Sequence, residues 1–252
     1  MLGSQFGGHG LKAGSGGPRV LVSLATYKER ENLETLLPCV LEHAPGADVL
    51  VVDDNSPDGT ADFVRSFGDP RVRLLLRPGK LGLGSAILAG MRHALEGHYD
   101  LFVNMDADFS HHPRHLPALI GGMHQHDVMI GSRYVPGGGT VGWPLSRWLI
   151  SRSVNALTRF LFRLRARDTS GAYRCYRVGM LREARLDRVR SRGYSFQQEV
   201  LYRCVKAGAR VGETPIVFEE RRAGSSKVDL RESVRSLAQL LKLGVPAFFG
   251  YD

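Results

Sequence analysis

Four short apolar runs, each closed by charged or turn residues, constrain this chain most. Arg19–Leu24 stops at the polar turn Thr26–Glu31, and Val49–Val52 at DDNSPDGT. Val72–Leu76 stops at RPGKLGLG, and Leu101–Met105 at Asp106-Ala107-Asp108. Runs this short and this consistently apolar read as strands buried on both faces. Between them lie segments with helical spacing: Glu31–Leu41, with Leu33, Leu36, Leu37, Val40 and Leu41, then Ala61–Phe67 and Ser85–Leu95. Strand and helix alternating across short connections predict an α/β fold with a doubly wound, mostly parallel sheet.

Helix Leu116–Met123 and strand Val128–Ile130 continue the alternation, after which the pattern changes. A glycine-rich loop, Gly131–Thr140, precedes a long helix, Trp148–Leu164, with Arg152, Arg159 and Arg163 off its apolar face. Strand Ala172–Tyr176, helix Phe196–Ala207, strand Arg210–Phe218 and an amphipathic helix Val228–Leu243 complete the expected order.

Charge divides the chain. Residues 1–126 carry 11 Lys and Arg against 14 Asp and Glu; residues 127–252 carry 23 against 11. A basic second half calls for a phosphorylated or polyanionic partner, or an anionic membrane surface. Nucleic acid is disfavoured, because no arginine-rich run with interleaved aromatics occurs. Cys39, Cys175 and Cys204 are far apart and odd in number, which suggests packed thiols in a reducing compartment. Residues 1–17 read as a flexible Gly/Ser tail without the apolar core of a signal peptide. The longest apolar-rich segment, Leu237–Phe249, contains Lys242 and Pro246, so no bilayer-spanning run is expected.

The chemistry concentrates where strands end, the edge at which open α/β sheets bind ligands. Asp106 and Asp108 stand two apart, so on extended backbone both carboxylates face one way and can share a hard cation, Mg²⁺ or Mn²⁺. Asp54 ends the second strand. It is either a turn aspartate or an acceptor for a base or ribose, and Thr60 is a candidate cap for the helix that follows. Lys80–Ala86 sets glycines before a helix, which reads as a tight turn or, less favoured, as an anion nest. Arg221, Arg222 and Lys227 surround Gly224-Ser225-Ser226, a basic loop able to grip phosphate. His111 and His112 lack a supporting metal-ligand pattern.

Eight segments then resemble one family in family order. They are TYKERENL (Thr26–Leu33), VVDDNSPDGT (Val51–Thr60), RPGKLGLGSA (Arg77–Ala86), MDADFSHHP (Met105–Pro113), GSRYVPGGG (Gly131–Gly139), SGAYRCYR (Ser170–Arg177), GYSFQQE (Gly193–Glu199) and RAGSSK (Arg222–Lys227). Together they closely resemble the polyprenol (dolichol) phosphate mannosyltransferases, family 2 glycosyltransferases of the GT-A fold. The resemblance implies one GT-A domain over residues 18–243; the C-terminal tail, 244–252, is a candidate for membrane contact because Pro246–Phe249 continues an apolar surface. The resemblance also implies transfer of mannose from GDP-mannose to a polyprenyl phosphate with inversion. Carried over by position, Ala25, Tyr27, Glu29, Val52 and Asp54 hold the nucleoside. Asp106 and Asp108 bind the cation, with Ser110 as a candidate third ligand, and Ala107 lies against the nucleotide. Arg133, Arg221 and Lys227 meet the diphosphate or the acceptor phosphate, so that Asp108, Arg133 and Lys227 form the catalytic set. Two positions depart: Ala25 replaces the family's Pro, and Ser110 replaces a frequent Gln. The location implied is cytoplasmic and peripheral, on the cytoplasmic face of a membrane, with a separate membrane-anchoring subunit as a candidate partner. A donor such as UDP-glucose, or a silent nucleotide-sugar-binding subunit, are the alternatives.

Overall fold

The structure, a computed structural model, describes residues 17–191, 193, 195–219 and 230–249. Four parallel strands open the chain: β1 (Val20–Thr26), β2 (Ala47–Asp53), β3 (Val72–Leu76) and β4 (Leu101–Asp106). The helices between them are α1 (Arg30–His43), α2 (Thr60–Ser66) and α3 (Leu83–Glu96). Next come α4 (Leu116–Gly121), β5 (Val128–Ser132), a two-residue β6 (Gly139–Thr140) and α5 (Leu145–Phe162). The chain continues with β7 (Arg174–Arg177), α6 (Val178–Glu183), α7 (Phe196–Lys206), β8 (Val211–Pro215), β9 (Val217–Phe218) and α8 (Leu230–Phe249).

Seven strands form one sheet in the order β3-β2-β1-β4-β7-β5-β8, and only β7 runs antiparallel to its neighbours. Side chains alternate between two cores, as a pleated strand requires. In β1, Leu21 enters one core, while Val22 and Leu24 enter the other. α1 and α4 cover the second face through Leu33, Leu36, Leu37, Leu116 and Leu119. α3, α6 and α7 cover the first through Ile87, Met91, Leu181, Val200 and Leu201. α3 lies very close to β1 at Gly90, where an added Cβ would meet Ser23 Oγ at 2.4 Å.

Several boundaries differ from the sequence expectation for physical reasons. The strand expected over Arg210–Phe218 breaks into β8 and β9. Pro215 has no N–H for a ladder, and the Ile216 N–H turns to Ser132 O at 3.0 Å. The strand expected from Ala172 begins at Arg174, and the helix expected over Leu116–Met123 tightens after Gly121 into a 3₁₀ turn. Thr60 is not a cap: it is the first helical residue, and Asp58 accepts from both its N–H and its hydroxyl. α8 continues through Pro246 to Phe249, so residues 244–249, expected as tail, are helical. The six-residue α6 had no expected counterpart. No described helix is long and apolar enough to cross a membrane.

Candidate active site

Strand order places the site. β1 and β4 are adjacent while their connections leave in opposite directions, which makes the crevice at their carboxyl ends a topological switch point. There the register sets Ala25 between Val52 and Asp106, and Thr26 beside Asp53. Asp53 is fully buried and holds the β2 turn, accepting from Thr26 Oγ1 at 2.8 Å and Ser56 N at 2.9 Å.

On the β2 side, Asp54 accepts from the Leu81 and Gly82 N–H groups at 3.0 and 3.3 Å. The nest foreseen in Lys80–Ala86 is thus filled by a carboxylate of the chain itself, in agreement with the tight-turn reading. Arg77 Nη1 lies 2.8 Å from Asp54 Oδ1, charge against charge, although the pair is not aligned as a hydrogen bond. Tyr27 is half-buried under Lys80, whose Nζ sits 4.2 Å from the ring centroid. Glu29 Oε2 accepts from Asn32 Nδ2 at 2.6 Å.

On the β4 side, Asp106 ends the strand with its side chain 28% exposed, and Asp108 lies just beyond it, 3% exposed. Asp108 Oδ1 accepts from the Ser110 N–H at 3.0 Å and its hydroxyl at 2.6 Å. The turn between them forces Phe109 into the left-handed region, φ 64°, a strain of about 1–3 kcal/mol of the kind that clusters at functional sites. His111 Nδ1 accepts from the Asp106 N–H at 3.0 Å, and its ring stacks on Tyr173 at 4.9 Å. That bond lets His111 brace the end of β4. His112 likewise accepts from the Arg114 N–H. Neither contact makes a metal cluster, and among the described residues no group of three or more His, Cys, Asp or Glu could hold an ion.

Arg133 approaches from the basic half. Its Nε and Nη2 each donate to Asp168 at 2.7 Å, and Nη2 also reaches Ser170 Oγ at 2.9 Å. Burial alone would raise the Asp168 carboxyl, but the Arg133 charge and hydrogen bonds overcome it and hold that carboxyl below its ordinary range. Asn155 of α5 locks the loop, accepting from Thr169 N at 2.6 Å and donating to Ser170 Oγ at 3.0 Å. Gly138 lets the glycine-rich loop fold back, since a Cβ there would lie 2.4 Å from Ser132 O. β6 then pairs with β9, which brings Trp143 to 5.4 Å from Phe218 beside Arg133.

These groups share one cavity of about 710 Å³. Its lining includes the polar residues Asp106, Asp108, Ser110, His111 and Arg133 and the apolar residues Ile87, Ile150, Val154, Phe196, Leu237 and Leu240. A sequence profile described as Glycosyl transferase family 2 matches residues 22–185. The chain belongs to glycosyl transferase family 2. It is 45% identical to an undecaprenyl-phosphate mannosyltransferase of Micrococcus luteus over 212 residues, 83% of this chain and 87% of that one. It is 41% identical to a polyprenol monophosphomannose synthase of Mycolicibacterium smegmatis over 228 residues, 88% of this chain and 86% of that one. Among solved structures, glucosyl-3-phosphoglycerate synthase of Mycobacterium tuberculosis, in complex with Mn²⁺, UDP and its product, superposes with a TM-score of 0.66. That match has 17% identity and covers 90% of this chain and 80% of that one. A Pyrobaculum calidifontis mannosyltransferase in complex with GDP-Man and Mn²⁺ gives 0.55 at 18% identity, covering 93% and 74%. The fold is GT-A.

In this family 2 glycosyltransferase, four residues named from sequence meet in the cavity: Asp106, Asp108, Ser110 and Arg133. Ala107 is buried between the two acids. Ala25, Tyr27, Glu29, Val52 and Asp54 gather along the β1–β2 edge and do not line that cavity. Arg221 and Lys227 lie outside the described residues. Asp168, Asn155 and Trp143 went unremarked in the sequence, and Ser170 entered only as the first residue of the quoted SGAYRCYR segment. Asp168 stands two residues before the quoted SGAYRCYR segment, and an acid beside a glycine turn in an otherwise basic stretch is the signal that could have found it. No disulfide joins the three cysteines; burial pushes the Cys204 thiol up to about 12 and Cys175 further, which disfavours the thiolate that a nucleophile needs.

Proposed function

We propose that this glycosyltransferase moves mannose from GDP-mannose to the phosphate of a polyprenol with inversion at the anomeric carbon. The observation that carries the reading is one cavity lined by two carboxylates and an arginine together with an apolar wall that includes Ile87, Ile150, Val154 and Phe196. Such a wall suits the first isoprene units of an acceptor whose phosphate must reach Arg133. The relatives' names, an undecaprenyl-phosphate mannosyltransferase and a polyprenol monophosphomannose synthase, supply donor sugar and acceptor class.

The donor set fits a hard divalent cation. Two carboxylates on one cavity leave room for diphosphate oxygens and water, the ligand balance that Mg²⁺ and Mn²⁺ accept. Asp106 and Asp108 would hold the ion, with Ser110 orienting Asp108 through its two hydrogen bonds. When bound, the ion offsets charge on the departing diphosphate. The nucleoside is assigned to the β1–β2 edge, with Tyr27, Glu29, Val52 and Asp54 around it. Arg133, aligned by Asp168, faces the acceptor phosphate, and Arg221 and Lys227 are assigned to the same charge. A phosphate acceptor is already an anion near neutral pH, so no strong general base is required. The residues instead bring two like-charged groups together.

The membrane is the second substrate surface. Leu237, Leu241, Val245 and Phe249 are exposed at successive four-residue steps on α8, and residues four apart share one helix face. We assign this stripe, with the exposed apolar side chains of α5, to the cytoplasmic face of a bilayer.

Incubation with labelled GDP-mannose, UDP-glucose or UDP-GlcNAc, polyprenyl phosphate and Mg²⁺ or Mn²⁺ tests the reading. Label is expected in the lipid phase from GDP-mannose. Label from UDP-glucose alone would reassign the donor, and none from any donor would remove the activity.

A further inference from the structure

α5 carries a second concavity on the side away from the catalytic cavity. It is a cleft of about 560 Å³, lined by Tyr134, Trp148, Leu149, Arg152, Arg159 and Arg167. Arg152 lies over the Trp148 ring at 4.8 Å and the Tyr134 ring at 5.8 Å. These aromatic contacts hold its guanidinium plane without using its hydrogen-bond donors. Among the described residues, the side chains of Arg152, Arg159 and Arg167 make no ion pair. The acid beside them, Glu213, is committed to the Arg167 and Asp168 backbone N–H groups at 2.7 and 3.0 Å.

We propose that this cleft is a second anion site, which takes the phosphate headgroup of an anionic phospholipid. Three guanidiniums line one cleft while the neighbouring Glu213 carboxylate is bound to backbone N–H groups, and a phosphate offsets their charge by accepting forked hydrogen bonds. The lip of the cleft selects a lipid over a free anion. Leu149 lines it at 52% exposure, and Leu145, one turn earlier, is 70% exposed. Apolar groups at that edge gain nothing from a soluble phosphate but sit naturally at acyl-chain depth beneath a headgroup. The cleft also backs onto the catalytic arginine. Tyr134 packs between Arg152 and Arg133, whose guanidinium lies 5.2 Å from the ring, and Asn155 lines the cleft while bonding Thr169 and Ser170.

The inference rests on the reading that the chain works at a membrane, and its test needs neither donor nor acceptor. The full chain is sedimented with phosphatidylcholine vesicles, and with vesicles that also contain phosphatidylglycerol, while Trp148 fluorescence is followed. A Trp148→Phe variant assigns the signal. Arg152→Gln/Arg159→Gln/Arg167→Gln is compared with Arg65→Gln/Arg92→Gln/Arg182→Gln, which removes the same charge elsewhere. The cleft variant is expected to bind phosphatidylglycerol vesicles on the order of 100-fold more weakly, because each of the three basic residues at such a surface counts about fivefold. The control is expected to lose far less, and glycerol phosphate at equal phosphate concentration is expected to leave Trp148 fluorescence unchanged. Equal loss in both triple variants, or none in the cleft variant, overturns the site. An equal fluorescence response to glycerol phosphate overturns the headgroup assignment. Failure of the parent to bind any vesicle overturns the membrane reading as well.

Discussion

The two sides of the cavity between Asp106, Asp108 and Arg133 are built on different principles. On the β4 side, Asp106 and Asp108 are short side chains placed by a strand end, and local hydrogen bonds from Ser110 suffice to aim Asp108. On the β5 side, Arg133 is a long side chain with about 2 kcal/mol of rotamer entropy to suppress. Holding it requires Asp168, Ser170 and Asn155, residues that α5 and the loop before β7 bring together. A carboxylate can therefore be positioned by its strand end and the next turn, whereas a guanidinium needs a network from distant segments. Damage to the first side should cost activity with little cost to the fold, and damage to the second should cost both.

Asp108→Asn breaks the first side most severely. It removes one of the two carboxylates assigned to the cation, and transfer is expected to be abolished. Asn can still accept from Ser110, so the melting temperature should barely move. Near-parental turnover at limiting Mg²⁺ or Mn²⁺ would remove Asp108 from the cation site.

Lys227→Ala tests the phosphate-binding role proposed for the Gly224-Ser225-Ser226-Lys227 segment. Stabilisation of phosphate charge in the transition state predicts a roughly 10²–10³-fold lower kcat with a smaller change in KM for GDP-mannose. Lys227→Arg should restore only part, since a fork does not replace a point charge. Full activity in Lys227→Ala at saturating donor would take the residue out of the site.

Asp168→Asn sharpens the comparison. Breaking a buried pair from one side costs about 3–5 kcal/mol, which in a chain of this size lowers the melting temperature by about 10 °C. Transfer should fall with it, since Arg133 loses its bidentate anchor. A variant as stable as the parent would show that the pair is not structural.

Leu241→Ser/Val245→Ser tests the α8 stripe. Binding to vesicles is expected to weaken by about 10- to 100-fold from the lost apolar burial, with transfer to a short, water-soluble acceptor unchanged. Unaltered sedimentation would return the stripe to an ordinary exposed face.

The smallest effect concerns pH. Burial first, then Arg114 and His112, push His115 down from 6.5 to about 4. Between those values the unfolded chain binds the proton and the folded chain does not, so stability falls as pH drops from 6.5 toward 4. His115→Asn should flatten part of that slope in thermal unfolding; an unchanged slope would assign it to other groups.

The first half of the sheet was legible because each buried parallel strand leaves a short apolar run with a polar stop. Val72–Leu76 agrees to the residue, and Asp106 and Asp108 stand at the end of β4 as the run beginning at Leu101 required. The second half was less legible because its contacts are not periodic. β7 enters antiparallel between β4 and β5, Pro215 splits one expected strand, and Asp168 meets Arg133 from 35 residues away. No spacing rule links those two positions. The exposed stripe of α8 was visible as amphipathicity, but which apolar residues face the core and which face outward depends on where α5 packs.

The most direct measurement of the division between the two sides is metal activation of mannosyl transfer in Ser110→Ala and Asp168→Asn, side by side with the parent. Ser110→Ala removes the hydroxyl that donates to Asp108 at 2.6 Å, so half-activation is expected at a higher Mn²⁺ concentration. Asp168→Asn is expected to lower kcat while leaving the half-activating concentration where it is in the parent. A metal requirement that shifts in Asp168→Asn and stays fixed in Ser110→Ala would contradict the assignment of the cation to one side and the acceptor phosphate to the other.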